Sequence, residues 1–497
     1  MPESTPFPDA TALAALVRSG DGHPTELVET AIAAIEKVNP KLNAVVHRMY
    51  DQARAAAKGA LPDGPFRGVP FVVKDLDGWL AGEPYTQSCR MSKDFVPTED
   101  AEIIARMKRT GVVIVGKTNT PELGLLGVTE SELRGPARNP WNTDHTPGGS
   151  SGGTAAIVAA RAVPMGHGGD GGGSIRIPAS ACGLFGLKPT RGRNPVGPQV
   201  GEGWGGYVQP GVVTRSVRDC AAMLDATQGS DVGAPYASPR ERPYTDEIRR
   251  APRKLRIAFS SGSQLGRDTH ADVHAAVKDA AALCASLGHE LTELALPIDR
   301  EALVAAYFTQ IAVGAAIGIE TTARWVGRAP TPADFEPTTW LLGTIGRKLP
   351  AIELQRSRDA CQAAGRRLGR FFADYDLFLD GTLAYPPIKV GELALKTAER
   401  VALAALRVAS PRFVLDRLLA TLGANALEKT PNTQVANQTG LPAMSVPLSW
   451  NAAGLPIGVQ FMAPFGDEAT LLQLAAQLEM ARPWAGRVPP ISAGGPL

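Results

Sequence analysis

Two stretches of the chain, GVPFVVKDL at 68–76 and GVVIVGKTN at 111–119, are short, almost continuously apolar and rich in valine; glycine opens each and polar residues close it. A run with no polar face has nothing to turn towards water, so each reads as a strand buried on both sides. Helical patterns surround them. HPTELVETAIAAIEKVNP (23–40) places Leu27, Val28, Ala31, Ile32, Ile35 and Val38 on one stripe, with Thr25 as the expected N-cap and Pro40 as the stop. DAEIIARMKRT (100–110) is a second helix, and GTAAIVAARAVP (153–164) is a helix of small residues able to pack close to a sheet. Doubly buried strands alternating with helices predict an α/β fold whose sheet is covered by helices on both faces.

The alternation returns later in the chain. Residues 227–252 turn to Gly, Pro, Ser and charge and read as a linker or surface excursion. LRIAFSS (255–261), HADVHAAVKDAAALCASLG (270–288) and HELTELALP (289–297) then form a second strand–helix–strand passage. Residues 302–432 read as mostly helical, 440–464 as strands with a turn at Asn451, and 467–483 as a closing helix. There is no internal repeat.

Composition excludes several classes. Lys plus Arg minus Asp plus Glu is 51 − 49 = +2 in 497 residues, which provides no electrostatic argument for nucleic acid or an anionic membrane. The basic stretch RRAPRKLR (249–256) reads as a solvated linker. Five cysteines, widely spaced and without a CxxC, argue against disulfides and a thiolate metal site. His270 and His274 have helical spacing but lack the glutamate of HExxH, so they read as helix surface. The first twenty residues lack the pattern of a secretory leader, and no window of about 18 apolar residues is evident. The expected location is cytoplasmic.

The chemistry concentrates in GGDGGGSIRIPAS (168–180). Gly166, Gly168 and Gly171 satisfy GxGxxG by letter, but the glycine run continues past the motif, with Pro178 soon after. Gly149, Ser151 and Gly153 satisfy GxSxG, but a polar loop precedes them where a nucleophile elbow needs a buried strand. Acyl transfer needs backbone N–H groups converging on one point, and side chains would obstruct that approach. Gly171, Gly172 and Gly173 before Ser174 suit such donors beside a nucleophilic hydroxyl; a tight structural turn is the other reading. A serine nucleophile needs a base. Lys74 closes the apolar run at 68–74; it reads either as a desolvated lysine able to act as a neutral base or as a strand-end lysine reaching for water. TPGGSSGGTAA (146–156) adds paired serines between double glycines.

In this order and spacing, GVPFVVKD, TPGGSSGGTAAIVAA and GGDGGGSIRIPASACGLFGLKPTRG resemble the amidase signature family. GKTNTPELG (116–124) and NQTGLPAMSVPLSWNAAGLPIGVQ (437–460) extend the resemblance over nearly the whole chain. RNPWN, RIPASACG and LKPTRGR are similar to the branch of 6-aminohexanoate cyclic dimer hydrolases and related amidases. The resemblance implies one domain over 1–497 around a twisted mixed sheet, with a signature core at 68–190 and a helical substrate-pocket region at 296–432. It implies Ser174 as nucleophile, Ser150 as bridging serine after a cis peptide, and Lys74 as base. It implies Gly171, Gly172 and Gly173, with the Ser174 amide, as oxyanion donors, and Gly149, Leu125 and Thr86 at the substrate. Asp170 would brace the loop and Arg176 would pair structurally. The expected substrate is a small linear or cyclic amide, with no cofactor, metal, nucleic acid or membrane and with a possible homodimer. An aryl-amide, ester or carbamate (urethane) hydrolase, an amidotransferase subunit acting with tRNA, and a non-catalytic scaffold are the alternatives. The chain departs from the family pattern at Gly169, where Ser or Thr is usual, at 378–387, where FLDGTLAYPP replaces a TP step, and at Leu125 and Leu126, which make the pocket more apolar.

Overall fold

The computed structural model describes residues 8–239, 241–266, 268–395 and 427–494. Its strands are β1 (Val45–Arg48), β2 (Pro70–Lys74), β3 (Val113–Thr118), β4 (Glu130–Ser131), β5 (Gly135–Pro136), β6 (Met165–Asp170), β7 (Phe185–Lys188), β8 (Gln209–Thr214), β9 (Arg256–Phe259), β10 (Glu290–Glu293), β11 (Leu377–Gly381), β12 (Ala443–Trp450) and β13 (Pro456–Met462). Eleven form one sheet in the order β1-β3-β2-β6-β8-β7-β12-β13-β11-β9-β10, and β4 pairs with β5 apart from it. β2 runs parallel to β3 and to β6, and β9 parallel to β10 and β11. The strands between β6 and β11 pair antiparallel, so the sheet is mixed.

The alternation of side chains along β2 explains why its run is apolar throughout. Phe71 and Val73 enter one core and Val72 the other. The first core is built with α1 (Ala10–Ser19), α4 (Glu102–Arg109), α7 (Val217–Thr227), α8 (Tyr244–Glu247), α9 (Ala271–Ser286) and the closing helix Glu468–Ala481. The second is built with α2 (Pro24–Leu42), α3 (Tyr50–Lys58), α5 (Gly152–Ala159) and α6 (Arg176–Cys182). Both faces are thereby covered. Further helices, α10 (Arg300–Val326), α11 (Pro337–Lys348), α12 (Ala351–Asp374) and α13 (Gln434–Thr439), stand beside the sheet and enclose the site.

Several elements differ from the sequence reading. α2 is capped by His23 rather than Thr25, with the Glu26 carboxylate accepting from the His23 amide. Pro24 then occupies the first helical position, where its missing N–H is no loss. Pro40 lies inside the helix because it falls in the last turn, where the Asn39 side chain takes over and accepts from the amides of Ala44 and Val45 at 2.8 Å each. The glycines at 166–169, to which the sequence reading gives no element, lie in a strand, β6. Packing overrides their poor strand propensity: a Cβ at Gly166 would meet Val72 at 2.6 Å, and one at Gly168 the Ser151 hydroxyl at 2.9 Å. Arg256 of the basic stretch opens β9, and Arg253 and Arg256 both pair with Asp376 at the start of β11. The excursion at 227–252 contains α8, whose Tyr244 is buried. Within the region read as helical, β11 is a central strand, and residues 396–426 lie outside the described ones. α10 is long and apolar enough to cross a membrane, contrary to the expectation that no such apolar window occurs. It packs on α11 and α12, with Leu303, Ile311 and Ile319 buried. All five cysteines are free and buried.

The contact between α10 and α11 depends on a missing side chain. A Cβ at Gly346 would lie 2.0 Å from the Ala312 carbonyl oxygen, whereas one at Gly369 in α12 would meet nothing within 4 Å. Gly346→Ala is expected to destabilise the protein by about 1–3 kcal/mol and Gly369→Ala to stabilise it by about 0.5–1 kcal/mol. Urea unfolding of the two variants checks the opposite signs.

Candidate active site

β2 ends in Lys74, whose side chain is fully buried. Its side-chain nitrogen lies within hydrogen-bond distance of the Ser150 hydroxyl at 2.8 Å, of Asp77 Oδ2 at 2.9 Å and, more weakly, of the Gly169 carbonyl at 3.4 Å. Ser150 stands at the turn into α5, after a cis Gly149–Ser150 peptide. Ser174 stands in the turn between β6 and α6, and the Ser151 amide donates to its carbonyl at 3.2 Å. The end of β2, the turn into α5 and the turn before α6 thus come together, with Lys74 bonded to Ser150 and the next residue, Ser151, bonded to the Ser174 main chain.

Asp170 organises the glycine turn. It accepts from the amides of Gly173 (2.8 Å), Ile175 (3.2 Å) and Arg176 (3.4 Å), and from the Arg176 guanidinium at 3.0 and 2.9 Å. The expected brace and its structural arginine are therefore in place. The Gly173 amide is correspondingly committed to Asp170 and does not face the cavity as an oxyanion donor. Among the described residues the amides of Gly171, Gly172 and Ser174 have no protein acceptor. The glycines also make room: a Cβ at Gly172 would lie 2.1 Å from the Tyr307 hydroxyl, and one at Gly173, with φ +124°, 2.2 Å from that of Thr433. The run is a tight turn of bare backbone, the structural one of its two readings.

Two further expected contacts are corrected. Thr86 is buried away from the cavities; its hydroxyl and amide both donate to Asp75, which pairs with Lys117 at 2.6 Å. Gly149 lines neither cavity and lies against the Val128 main chain, where a Cβ would approach to 2.7 Å. Leu125 does line the site.

Two cavities meet at Ser174. One, of about 480 Å³, runs past Asp77, Trp79, Tyr85, Trp325 and the α10 face at Gln310 and Gly314. The other, of about 440 Å³, runs past Ile177, Tyr307, Phe308, Leu342 and the 383–388 wall, which includes Tyr385. Ser174, Gly124, Leu125 and Trp204 belong to both. Sequence reasoning missed Asp77, Trp204 and Tyr307. For Asp77 there was a signal: an Asp–Gly pair just beyond a buried strand marks a special backbone conformation.

Among the described residues no group of three or more His, Cys, Asp or Glu is placed to hold a metal. His167, on β6, is fully buried with neither ring nitrogen partnered among the described residues, and burial pushes it down to about 3, so it is neutral. Glu122, beside the Leu123–Leu125 wall, is pushed up to about 8, first by burial and then by the Glu336 carboxylate.

The family model described as Amidase matches residues 26–472. The chain belongs to the amidase signature family. This amidase is 38% identical over 491 residues to the 6-aminohexanoate-cyclic-dimer hydrolase of Paenarthrobacter ureafaciens, covering 97% of this chain and 96% of the relative. A solved structure of 6-aminohexanoate cyclic dimer hydrolase complexed with substrate superposes with a TM-score of 0.87 at 36% identity, over 97% of this chain and 99% of that one. A bacterial aryl acylamidase of the amidase signature family superposes with a TM-score of 0.84 at 26% identity, over 99% and 100% of the two chains. The amidase is a hydrolase of carbon–nitrogen bonds other than peptide bonds.

Because the fold favours neutral Glu122, it is stabilised by that group at low pH. The stabilisation is lost as pH rises from the ordinary value of 4.5 towards about 8. Glu122→Gln lacks this dependence. Its melting temperature relative to that of the native amidase is expected to climb between pH 5 and pH 8, as measured by calorimetry at both.

Proposed function

We propose that the amidase hydrolyses a small non-peptide amide, linear or cyclic, whose two arms lie in the two cavities on either side of Ser174. The observation that carries this reading is the position of Ser174 at the junction of two largely apolar spaces of similar size. Pockets of a few hundred Å³ with apolar walls and few polar groups suit ligands of this class. The similarity to a cyclic-dimer hydrolase supports the same substrate class.

In this mechanism Ser174 Oγ attacks the amide carbonyl carbon. Its proton passes to Ser150, whose own proton passes to Lys74. The amides of Gly171, Gly172 and Ser174 hold the oxyanion. The C–N bond then breaks, and the relay returns a proton from Lys74 to the leaving nitrogen. Water, activated by the same relay, cleaves the acyl ester, releasing the acid and restoring Ser174.

A second reading, an aryl-amide or aryl-carbamate hydrolase using the same residues, is favoured by the aromatic lining: Trp204, Tyr307 and Phe308 on one side, Trp79 and Trp325 on the other. Aromatic walls take planar rings in stacked or edge-on contact.

Amine release from a cyclic ω-amino acid dimer, a linear aliphatic amide, an anilide and an aryl carbamate separates the readings. Ser174→Ala is expected to lower kcat by about 10⁴-fold or more on every substrate turned over, with an unchanged melting temperature. Retained turnover in Ser174→Ala rejects the nucleophile. Preference for the anilide or carbamate selects the second reading.

A further inference from the structure

Of the polar neighbours of Lys74, one has no part in the relay described above. Asp77 lies three residues beyond Lys74, with its carboxylate 2.9 Å from the Lys74 nitrogen and its side chain 22% exposed to the first cavity. Two features of the backbone hold it there. Asp77 itself adopts φ +64°, a conformation uncommon outside glycine. Residue 169 has no Cβ, and one built there would lie 2.2 Å from Asp77 Oδ2. The Asp77 amide, in turn, donates to the Tyr85 hydroxyl at 3.2 Å. A strained residue and a glycine inside a strand together bring one carboxylate to one buried lysine, and strain of this kind concentrates at functional sites.

We propose that Asp77 is the charge partner of Lys74, extending the relay to Ser174–Ser150–Lys74–Asp77. The proposal rests on the triad reading of the preceding subsection. When Ser174 attacks, its O–H bond breaks, the proton moves to Ser150, and the Ser150 proton moves to Lys74. The products of this step are an oxyanion on the substrate and an ammonium on Lys74. Lys74 is wholly buried, and a buried cation without a counter-charge is costly. Asp77 supplies that charge at hydrogen-bond distance and takes no proton itself. The ammonium proton returns through Ser150 to the leaving nitrogen. A carboxylate that stabilises the protonated base without accepting its proton is the role of the aspartate in serine–histidine relays.

The other ionisable groups near Lys74 are otherwise engaged. Asp75, next to it on the chain, pairs with Lys117 of β3 and accepts from Thr86. His167 of β6 is neutral. Burial and the nearby Asp77 carboxylate hold the Tyr85 hydroxyl in its protonated form. Asp77 is a positioning residue, since it acts on the reaction through Lys74.

The test follows labelling of Ser174 in the full chain by phenylmethanesulfonyl fluoride, read by mass spectrometry from pH 5 to 10. It needs no knowledge of the natural substrate. Labelling forms the Oγ–S bond, expels fluoride and sends the serine proton along the same relay. In Asp77→Asn the plateau rate is expected to fall by about 10–100-fold. The acid limb is expected to move to lower pH, because the carboxylate 2.9 Å from the Lys74 nitrogen is removed. Gly169→Ala, which pushes Asp77 away without altering it, is expected to move both quantities in the same direction. The double variant is expected to be no worse than the poorer single one. An unmoved limb in Asp77→Asn overturns the proposal, whether or not the rate falls, provided Lys74→Ala labels slowly. If Lys74→Ala labels as fast as the native chain, the triad reading fails first.

Discussion

The glycine turn before Ser174 is held by a buried carboxylate. Asp170 is completely enclosed, and burial by itself would push it up. The Arg176 charge, the Arg176 and Asn437 hydrogen bonds and the more distant Lys188 outweigh that and hold it at about 2. From this anion the order spreads outward. Arg176 also donates to Gln460 of β13 at 2.6 Å and to Asn437 of α13 at 2.7 Å. Gln460 donates to Asp380 of β11 and to the Asn432 carbonyl. Asn437 donates to Asp170 and to the Tyr207 carbonyl. A turn of three glycines has little conformational preference of its own. Its shape is imposed by one charge and the strands to which that charge is bound.

The same economy of side chains governs the other half of the site. α5 is buried at every position and made of small residues, so it can lie against the sheet. A Cβ at Gly153 would strike the Asn119 amide at 2.5 Å. This close approach sets Ser150, just before the helix, above Lys74 at the end of β2. Beyond the sheet, α10 and α11 approach closely through Gly346, and α10 then contributes walls to both cavities through Tyr307 and Gln310. Lys74, Ser150 and Ser174 stand on the sheet and its turns, while much of the cavity wall comes from helices outside it.

Much of this was legible in the sequence. The apolar runs at 68–76 and 111–119 became β2 and β3, the second strand–helix–strand passage became β9, α9 and β10, and the closing segments formed as read. The departures have different causes. β6 is rich in glycine, which local propensity disfavours in a strand, yet it is one because Val72, Thr154, Ser151 and Asp77, remote in sequence, occupy the volume that side chains would need. Pro40 reads as a stop but falls in the last turn, two residues before the helix ends at Leu42 and is capped by Asn43.

What the sequence alone determined was the alternation of buried strand and helix, and the three motifs that contain Lys74, Ser150 and Ser174. Both follow from local chemistry: the hydrophobicity of successive residues, and the residue types a nucleophile and its base require. Only the tertiary structure decided that the Gly173 amide is spent on Asp170, that Thr86 turns to Asp75, that Asp77 reaches Lys74 across the space above Gly169, and that two cavities open on either side of one serine. These are distances between groups on different segments. Periodicity and motif spacing describe neighbours along the chain, and they carry no measure of how closely separate segments approach once the core has packed.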